Sequence, residues 1–244
     1  MDYLKNHPFA VEAHFDSSLV LTFAVPKEQL QTLIPECLEL DLFEDKFAFV
    51  AVAMVQTKHL RPKGFPKFMG NNFFLIGYRI FVRYTNDKGK KLRGLYIIKS
   101  ETDQKKMEFF GNIFTHYNYK TTDISQQSSG KFKTIKSSLS DFHVKVEATE
   151  EEIALPENSP FPDWKAARRF AGPLPFTFTY DDEKKSVLII EGVRSNWTPK
   201  PVKVVDFHFK FLEQNVFQNR VLANAFEITN IPYWWKKGKV EQWK

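Results

Sequence analysis

The sequence predicts an α+β fold that is mostly β, with many short antiparallel strands and two or three helices. Two observations support this class. Aromatic residues make up 16% of the 244 residues, Phe alone contributes 25, and aromatic side chains favour the half-buried surface of a pleated sheet. Short apolar stretches, several of them alternating with polar residues, also recur between turn signals, and a two-residue period is typical of strands.

In the first half of the chain, strands are predicted at four places: 20–25, 47–55, 72–84 and 94–99. The second of these is apolar throughout, which is typical of a strand buried on both faces. The third alternates, and it carries Arg79 and Arg83 on one face. Helices are predicted at 26–35, which begins with a proline, and at 102–114, where Asp103 is the expected N-cap.

The second half of the chain predicts a succession of shorter strands: 117–146 with a polar break at 125–130, then 176–180, 186–193, 202–212 and 223–231. A Trp-rich tail with Trp234 and Trp235 follows, and it is expected either to cap the core or to mark an interface. Residues 150–163 are acidic and then rich in proline. We therefore expect one domain over 1–244, with a possible subdomain break near 150–163.

Composition argues against several classes of protein. The formal net charge is +6, but the lysines are scattered as pairs beside turn residues, so no nucleic-acid partner is expected. A single cysteine allows no intrachain disulfide, which fits a reducing, cytoplasmic location. No apolar segment has the length of a membrane span, and the first residues lack the pattern of a signal peptide, so no membrane partner is expected.

Common catalytic motifs are absent from the sequence. It contains no glycine-rich phosphate loop, no dinucleotide fingerprint and no nucleophile elbow, so no cofactor is expected and the catalytic residues stay unassigned. The six histidines are dispersed, so no local metal motif exists and no metal is expected. A metal site built from distant residues is the alternative to purely structural histidines, and its donors would be His14, His116, His143 and His208.

Five stretches together resemble a known family: FAVP at 23–26 with LELD at 38–41, GYRIFV at 77–82, GLYII at 94–98 with the helix after it, RRFAGPLPFTF at 168–178 and EGVRSNWTPKPV at 191–202. In this order they are similar to the YqjF-like bacterial family of unknown function, which is placed in the acetoacetate decarboxylase-like superfamily. The resemblance implies a curved antiparallel β barrel or cone with a few short helices. It also implies that the sheet encloses a cavity.

The resemblance also gives a test of mechanism. The decarboxylase attacks a β-keto acid with a lysine of depressed pKa, which lies in a segment that ends in two adjacent lysines. The matching segment here is GNIFTHYNYK at 111–120. Tyr119 stands where the Schiff-base lysine is expected, and only Lys120 remains; a slip of one residue would put Lys120 in that place, with Thr121 as its partner. Schiff-base decarboxylation of acetoacetate is therefore not expected.

Six residues are candidates for ligand binding: Arg79, His116, Tyr117, Tyr119, Lys120 and Arg194. If the face of Arg79 lines a lumen, its charge needs either a carboxylate partner or an anionic ligand. The other residues of the group either hold a small ligand or pack as ordinary strand and turn residues.

We expect a small organic acid or ketone as the partner, with Arg79 and Lys120 contacting the anion and Tyr119 acting as a hydrogen-bond donor or acid. The alternatives are a non-enzymatic binding or structural module and a lyase or hydratase-like enzyme that acts on a carbonyl compound. The chain is also a possible homo-oligomer.

Overall fold

A computed structural model describes residues 2–149, 152–172, 174–195, 197–214 and 217–243. The start of the possible subdomain break, at residues 150 and 151, lies outside these described residues, as does Asn196 of the stretch at 191–202. The helices in the described ranges are α1 (Asp2–Lys5), α2 (Lys27–Gln31), α3 (Lys105–Phe114) and α4 (Trp164–Phe170). None of them is long and apolar enough to cross a membrane.

Strands dominate the chain, as the sequence predicts. They are β1 (Val11–Pro26), β2 (Glu39–Leu40), β3 (Phe47–Pro62), β4 (Asn71–Thr85), β5 (Lys91–Thr102), β6 (Tyr119–Thr121), β7 (Ser125–Ser129), β8 (Phe132–Ser137), β9 (Phe142–Glu147), β10 (Phe176–Asp181), β11 (Ser186–Arg194), β12 (Lys200–Pro201), β13 (Lys203–Phe209), β14 (Val221–Trp235) and β15 (Lys239–Gln242). Short 3₁₀ turns occur at Lys67–Met69 and Lys210–Glu213.

The large sheet has the order β12-β14-β1-β3-β4-β5-β10-β11-β15, with β2 added to β4 and β6 added to β5. An additional pairing joins the end of β11 to the end of β14. The seven strands from β14 through β11 therefore form a continuous ring of pairings, which gives the sheet its cone-like curvature. The pairings are antiparallel except for two short parallel ones, β5 with β10 and β5 with β6.

A second sheet, with the order β13-β9-β8-β7, covers the outer face of the large one. Alternating side chains of β4 point outward and are buried beneath it, among them Ile76, Tyr78 and Ile80. The same apolar cluster contains Val144 of β9 and Phe209 of β13. The opposite face of the large sheet is left to enclose the interior of the cone.

Several predicted boundaries differ from those of the structure. The polar segment expected as a break at 125–130 is itself strand β7, because its backbone pairs with β8 although its side chains are exposed. The helix predicted at 26–35 covers only Lys27–Gln31. Asp103 does not cap α3 through its side chain; its carboxylate instead accepts a hydrogen bond from the Phe74 backbone N–H at 2.7 Å.

The Trp-rich tail is not a separate tail. Strand β14 runs on from the predicted segment 223–231 to Trp235, and pairs with β1 along its whole length. Asn230 interrupts the strand with a left-handed φ of 58°, a conformation that asparagine tolerates better than most residues. Phe226 and Tyr233 have opposite parity, yet both line the interior, so the alternation of side chains changes sides within this strand.

Candidate functional site

The interior of the cone contains a cavity of about 140 Å³. Its walls come from the inner faces of β1, β3, β4, β5, β10 and β14, from the end of β11, from Tyr117 and Tyr119 just before and at the start of β6, and from the segment after α4. The wall residues of β3 are Ala51, Ala53 and Val55. These side chains are short, so the strands meet without filling the space between them.

Two apolar clusters border this cavity. One packs α4 against the inner face of the sheet, and its members Phe81 and Leu174 reach the cavity wall. The other contains Phe15 of β1 and Phe226 of β14, and both residues line the cavity. The cavity therefore lies between two packed regions, and most of its wall is apolar.

Arg79 extends into the cavity from the inner face of β4. The pairing of β4 with β5 shifts register opposite Tyr78 and Arg79, where β5 has one extra residue, Ile98, so the alternation of β4 itself is unbroken. The guanidinium folds back over Gly77, where an added Cβ would lie 2.9 Å from Arg79 Nε. That Nε is buried and has no hydrogen-bond partner in the described structure.

Arg194 approaches the same cavity from the end of β11, opposite Tyr233 of β14. Its guanidinium lies 4.4 Å from the ring centre of Trp197 and 6.0 Å from that of Tyr233. Burial lowers the pKa of Arg194, although a hydrogen bond with Tyr233 opposes this shift. Arginine ordinarily titrates so far above neutrality that the group remains a cation.

Neither arginine forms an ion pair with any residue that the structure describes. The lining of the cavity likewise includes no aspartate or glutamate, and no lysine, histidine or cysteine, in the described part of the chain. The two cations thus share a mostly apolar chamber without a counter-ion. Tyr233 lies near both guanidinium groups, and each of them opposes the rise in the pKa of its phenol.

Three tyrosines supply the main hydroxyl groups of the wall: Tyr117, Tyr119 and Tyr233. Burial raises the pKa of each phenol, and the nearby Arg79 opposes that rise in all three without reversing it. The phenols are therefore neutral at physiological pH, and each can donate a hydrogen bond. Ser18, Ser100 and Thr177 complete the polar part of the wall.

Local sequence features hold these tyrosines in place. The Asn112 side chain donates to the Tyr119 carbonyl at 2.9 Å and accepts from the Tyr119 N–H at 2.7 Å. The ring of Tyr119 lies against Gly111, and the hydroxyl of Tyr233 lies against Gly192; a Cβ at either glycine would collide with it. These glycines are needed for close approach rather than for an unusual backbone angle.

The structure brings together four of the six residues predicted from the sequence: Arg79, Tyr117, Tyr119 and Arg194 all line the cavity. His116 lines an adjoining outer pocket instead, and its Nε2 lies 3.3 Å from Asn6 Oδ1.

Lys120 is exposed and does not line the cavity, so the structure does not support the prediction that it contacts an anion there. It follows Tyr119 directly in strand β6, and successive side chains of a strand point to opposite faces.

Arg83 shares a strand face with Arg79 but has a different role. Its Nε donates to Asp41 at 2.6 Å, and Arg93 donates to the other oxygen of the same, fully buried carboxylate. Arg83 is therefore neutralised in the wall at the end of the strand, whereas Arg79 is not.

Sequence reasoning missed several residues of the cavity wall, chiefly Tyr233, Ser18, Ser100 and Thr177. Trp235 was expected in the core or at an interface, but it lines the cavity, with its ring centre 4.5 Å from that of Tyr233. Regular alternation could not have found Tyr233 and Phe226 together. The only signal was an asparagine between them, which permits the left-handed turn at Asn230.

The four histidines that were considered as metal donors lie in different surroundings. Among the described residues, no three His, Cys, Asp or Glu side chains gather in a way that could hold an ion. His143 and His208, two of the possible donors, stack on each other in the second sheet with ring centres 5.8 Å apart. Each of these two histidines is instead paired with acidic side chains: Asp206 for His143, and Asp141 and Glu213 for His208.

The model of one protein family, DUF2071, described as an uncharacterised conserved protein, matches residues 12–239. The chain belongs to this family. No curated protein matches the DUF2071 chain.

Solved structures resemble this DUF2071 protein over nearly its whole length. An acetoacetate decarboxylase from Legionella pneumophila is 11% identical, with a TM-score of 0.65 over 96% of this chain and 88% of the other. An acetoacetate decarboxylase-like enzyme from Sphingomonas wittichii is 9% identical, with a TM-score of 0.61 over 99% and 96%. The enduracididine biosynthesis enzyme MppR, in complex with pyruvate, is 10% identical, with a TM-score of 0.52 over 96% and 88%.

At these identities the likeness establishes the fold and nothing more. It confirms the prediction of a mostly β, acetoacetate decarboxylase-like fold with a few short helices, and the family match confirms the resemblance seen in the sequence.

Proposed function

We propose that this DUF2071 protein binds a small organic acid in its cavity, with Arg79 and Arg194 neutralising the carboxylate. One observation carries the proposal: two guanidinium groups share a chamber whose described lining contains no acidic side chain. A buried charge without a partner is costly, and an anion that enters the chamber removes that cost. Arginine also offers a planar set of donors that suits a carboxylate.

The size of the cavity limits the ligand. A cavity of roughly 150 Å³ takes up a benzene molecule, and this one measures about 140 Å³. The ligand therefore has on the order of six to ten non-hydrogen atoms. Its apolar part would lie against the apolar part of the wall, which includes Val20, Phe81, Leu95 and Leu174.

The neutral tyrosines favour an acid that carries a second oxygen, such as a keto acid. Each phenol can donate to a carbonyl or carboxylate oxygen, whereas a tyrosinate would repel it. A small keto acid is also consistent with the pyruvate complex of MppR, a structure of similar fold. Schiff-base chemistry is not proposed, because the cavity lining includes no lysine in the described part of the chain.

Acid–base chemistry on a carbonyl compound, of the lyase or hydratase kind, is the second candidate. Tyr119 favours it, since a neutral phenol close to a guanidinium can donate a proton or stabilise an oxyanion. Tyr119→Phe would separate the two functions. Loss of turnover with retained binding would support catalysis, and equal loss of both would support binding alone.

The main test compares matched acids and amides by thermal shift and calorimetry. Benzoate, hexanoate and 2-oxobutanoate should stabilise the protein, whereas benzamide and hexanamide should not. Arg79→Gln and Arg194→Gln each remove a charge-assisted contact of about 1.5–3 kcal/mol. The Kd should therefore rise about 10- to 150-fold.

Arg169→Gln is the matched control, because Arg169 is an exposed arginine on α4 and outside the cavity. It should leave affinity unchanged. Equal binding of acids and their amides, or equal effects of the three substitutions, would contradict an anion site at Arg79 and Arg194.

A further inference from the structure

The wall of the cone has a gap along the edge of β5 that faces away from β4. This edge pairs with β10 over residues 94–96 and with β6 over residues 100–102. Between these two short parallel ladders, residues 97–99 have no strand partner on that edge among the described pairings. Elsewhere around the ring, the long strands β14, β1, β3 and β4 pair with their neighbours almost continuously.

The segment 115–118, which connects α3 to β6, fills this gap. It has no regular secondary structure, and Asn118 has a left-handed φ of 51°. Tyr117 lies within it, and its phenol is near enough to Thr177 of β10, on the opposite side of the gap, for that residue to lower the pKa of Tyr117. Side chains, rather than a backbone ladder, therefore meet across the gap.

Tyr117 also separates two spaces. It lines the inner cavity, together with Ile97, and both residues line an outer pocket of about 470 Å³ as well. The outer pocket contains His116, Thr179 and Tyr180, and its wall is more polar than that of the inner cavity. A single aromatic side chain therefore forms much of the partition between the outer pocket and the chamber of the two arginines.

We propose that the ligand reaches the cavity through this gap, and that the Tyr117 side chain sets the maximal length of ligand the cavity accepts. The inference rests on the proposed function for the identity of the ligand, but not for the route. Tyr117 lies between the chamber and the outer pocket, so removal of its ring would join the two spaces and let a longer acid extend from one into the other.

The matched comparison is Tyr117→Ala with Tyr119→Ala. Tyr119 packs edge-on against Tyr117, with ring centres 6.0 Å apart, and it lines the inner cavity but not the outer pocket. Each substitution removes one phenol ring next to Arg79. Only the first one removes the partition.

The first measurement is the binding of straight-chain carboxylates, from butanoate to dodecanoate, by calorimetry. The natural chain should bind the short acids and lose affinity at a definite length. Tyr117→Ala should shift that limit to longer chains, and Tyr119→Ala should leave the limit in place. An unchanged limit in Tyr117→Ala, or an equal shift in both variants, would overturn the assignment.

The second measurement does not depend on any acid binding. Ser18→Cys places a thiol on the β1 wall of the cavity, in a Cys37→Ala background that removes the natural thiol. Its labelling by a small methanethiosulfonate reagent should be about 2- to 12-fold faster with Tyr117→Ala, the range that corresponds to the loss of one side-chain contact of hydrogen-bond strength. Tyr119→Ala should not accelerate it.

The two measurements separate the two proposals. If no carboxylate binds the natural chain but labelling accelerates only in Tyr117→Ala, the proposed function fails and the access route stands. If acids bind but labelling is the same in all variants, the access route fails and the anion site stands.

Discussion

Replacement of Arg79 by methionine should stabilise the protein and abolish ligand binding. The Arg79 guanidinium has no acidic partner in the described structure, and its Nε is buried without a hydrogen bond. Methionine is unbranched and ends about where the Arg79 Nε lies, so it can follow the same path over Gly77 without the guanidinium and its charge. The substitution removes a desolvated polar group and leaves no buried partner unsatisfied.

The magnitude follows from the burial of Arg79. A buried polar group without a partner costs about 1–3 kcal/mol, and Arg79 is half-buried, so about 1–2 kcal/mol is expected. For a chain of this size, each kcal/mol changes Tm by about 2–4 °C. The melting temperature of Arg79→Met should therefore rise by about 2–8 °C.

Arg83→Met is the matched control, on the same face of the same strand. Arg83 donates to the fully buried carboxylate of Asp41, so its loss leaves a buried acceptor short of a partner and costs about 1–3 kcal/mol. Calorimetric scans without ligand, followed by scans with benzoate, measure both effects. A lower Tm for Arg79→Met than for the natural chain would refute the view that Arg79 is an unpaired charge kept for a ligand.

Three further predictions concern the cavity and the second sheet. Gly192→Ala would force the Tyr233 hydroxyl away from its place beside Arg194. The affinity for acids, measured by calorimetry, should then fall about 2- to 12-fold, which corresponds to one lost hydrogen bond. An unchanged Kd would exclude Tyr233 from the site. Because burial raises the pKa of the three cavity tyrosines, affinity should stay constant from pH 7 to about pH 10; a loss within that range would show that a phenol ionises there. Hydrogen bonds from Ser137 and from the Leu139 N–H hold the pKa of Asp123 at about 2, below its ordinary 3.8. The Asp123 carboxylate therefore stabilises the fold fully above pH 3.8, and this stabilisation is lost as the pH falls toward 2. Denaturant titrations of Asp123→Asn should accordingly differ from the natural chain at pH 6 and converge with it near pH 2.

The sequence by itself determined the class of fold and one face of the site. Alternation in 72–84 correctly assigned Tyr78 to one side of β4 and Arg79 to the other, because side chains of a strand alternate strictly where no bulge intervenes. The five family-like stretches predicted the acetoacetate decarboxylase-like fold, and the loss of the paired lysines could be read directly from residues 111–120.

The tertiary structure alone decided which residues meet. Arg79 and Arg194 are more than a hundred positions apart in the sequence, and they share a cavity only because β11 pairs back onto β14. No local pattern encodes such a long-range pairing. The assignment of Lys120 depended in the same way on the direction of strand β6, which points Tyr119 inward and Lys120 to solvent.

The same physical reason explains why Tyr233 was missed. The left-handed residue Asn230 interrupts β14, and the alternation that holds on either side of it does not carry across. Whether a tyrosine faces the interior is then set by the backbone angle of a different residue. The sequence specifies the strands and their chemistry, whereas bulges and ring closure decide which side chains face the cavity.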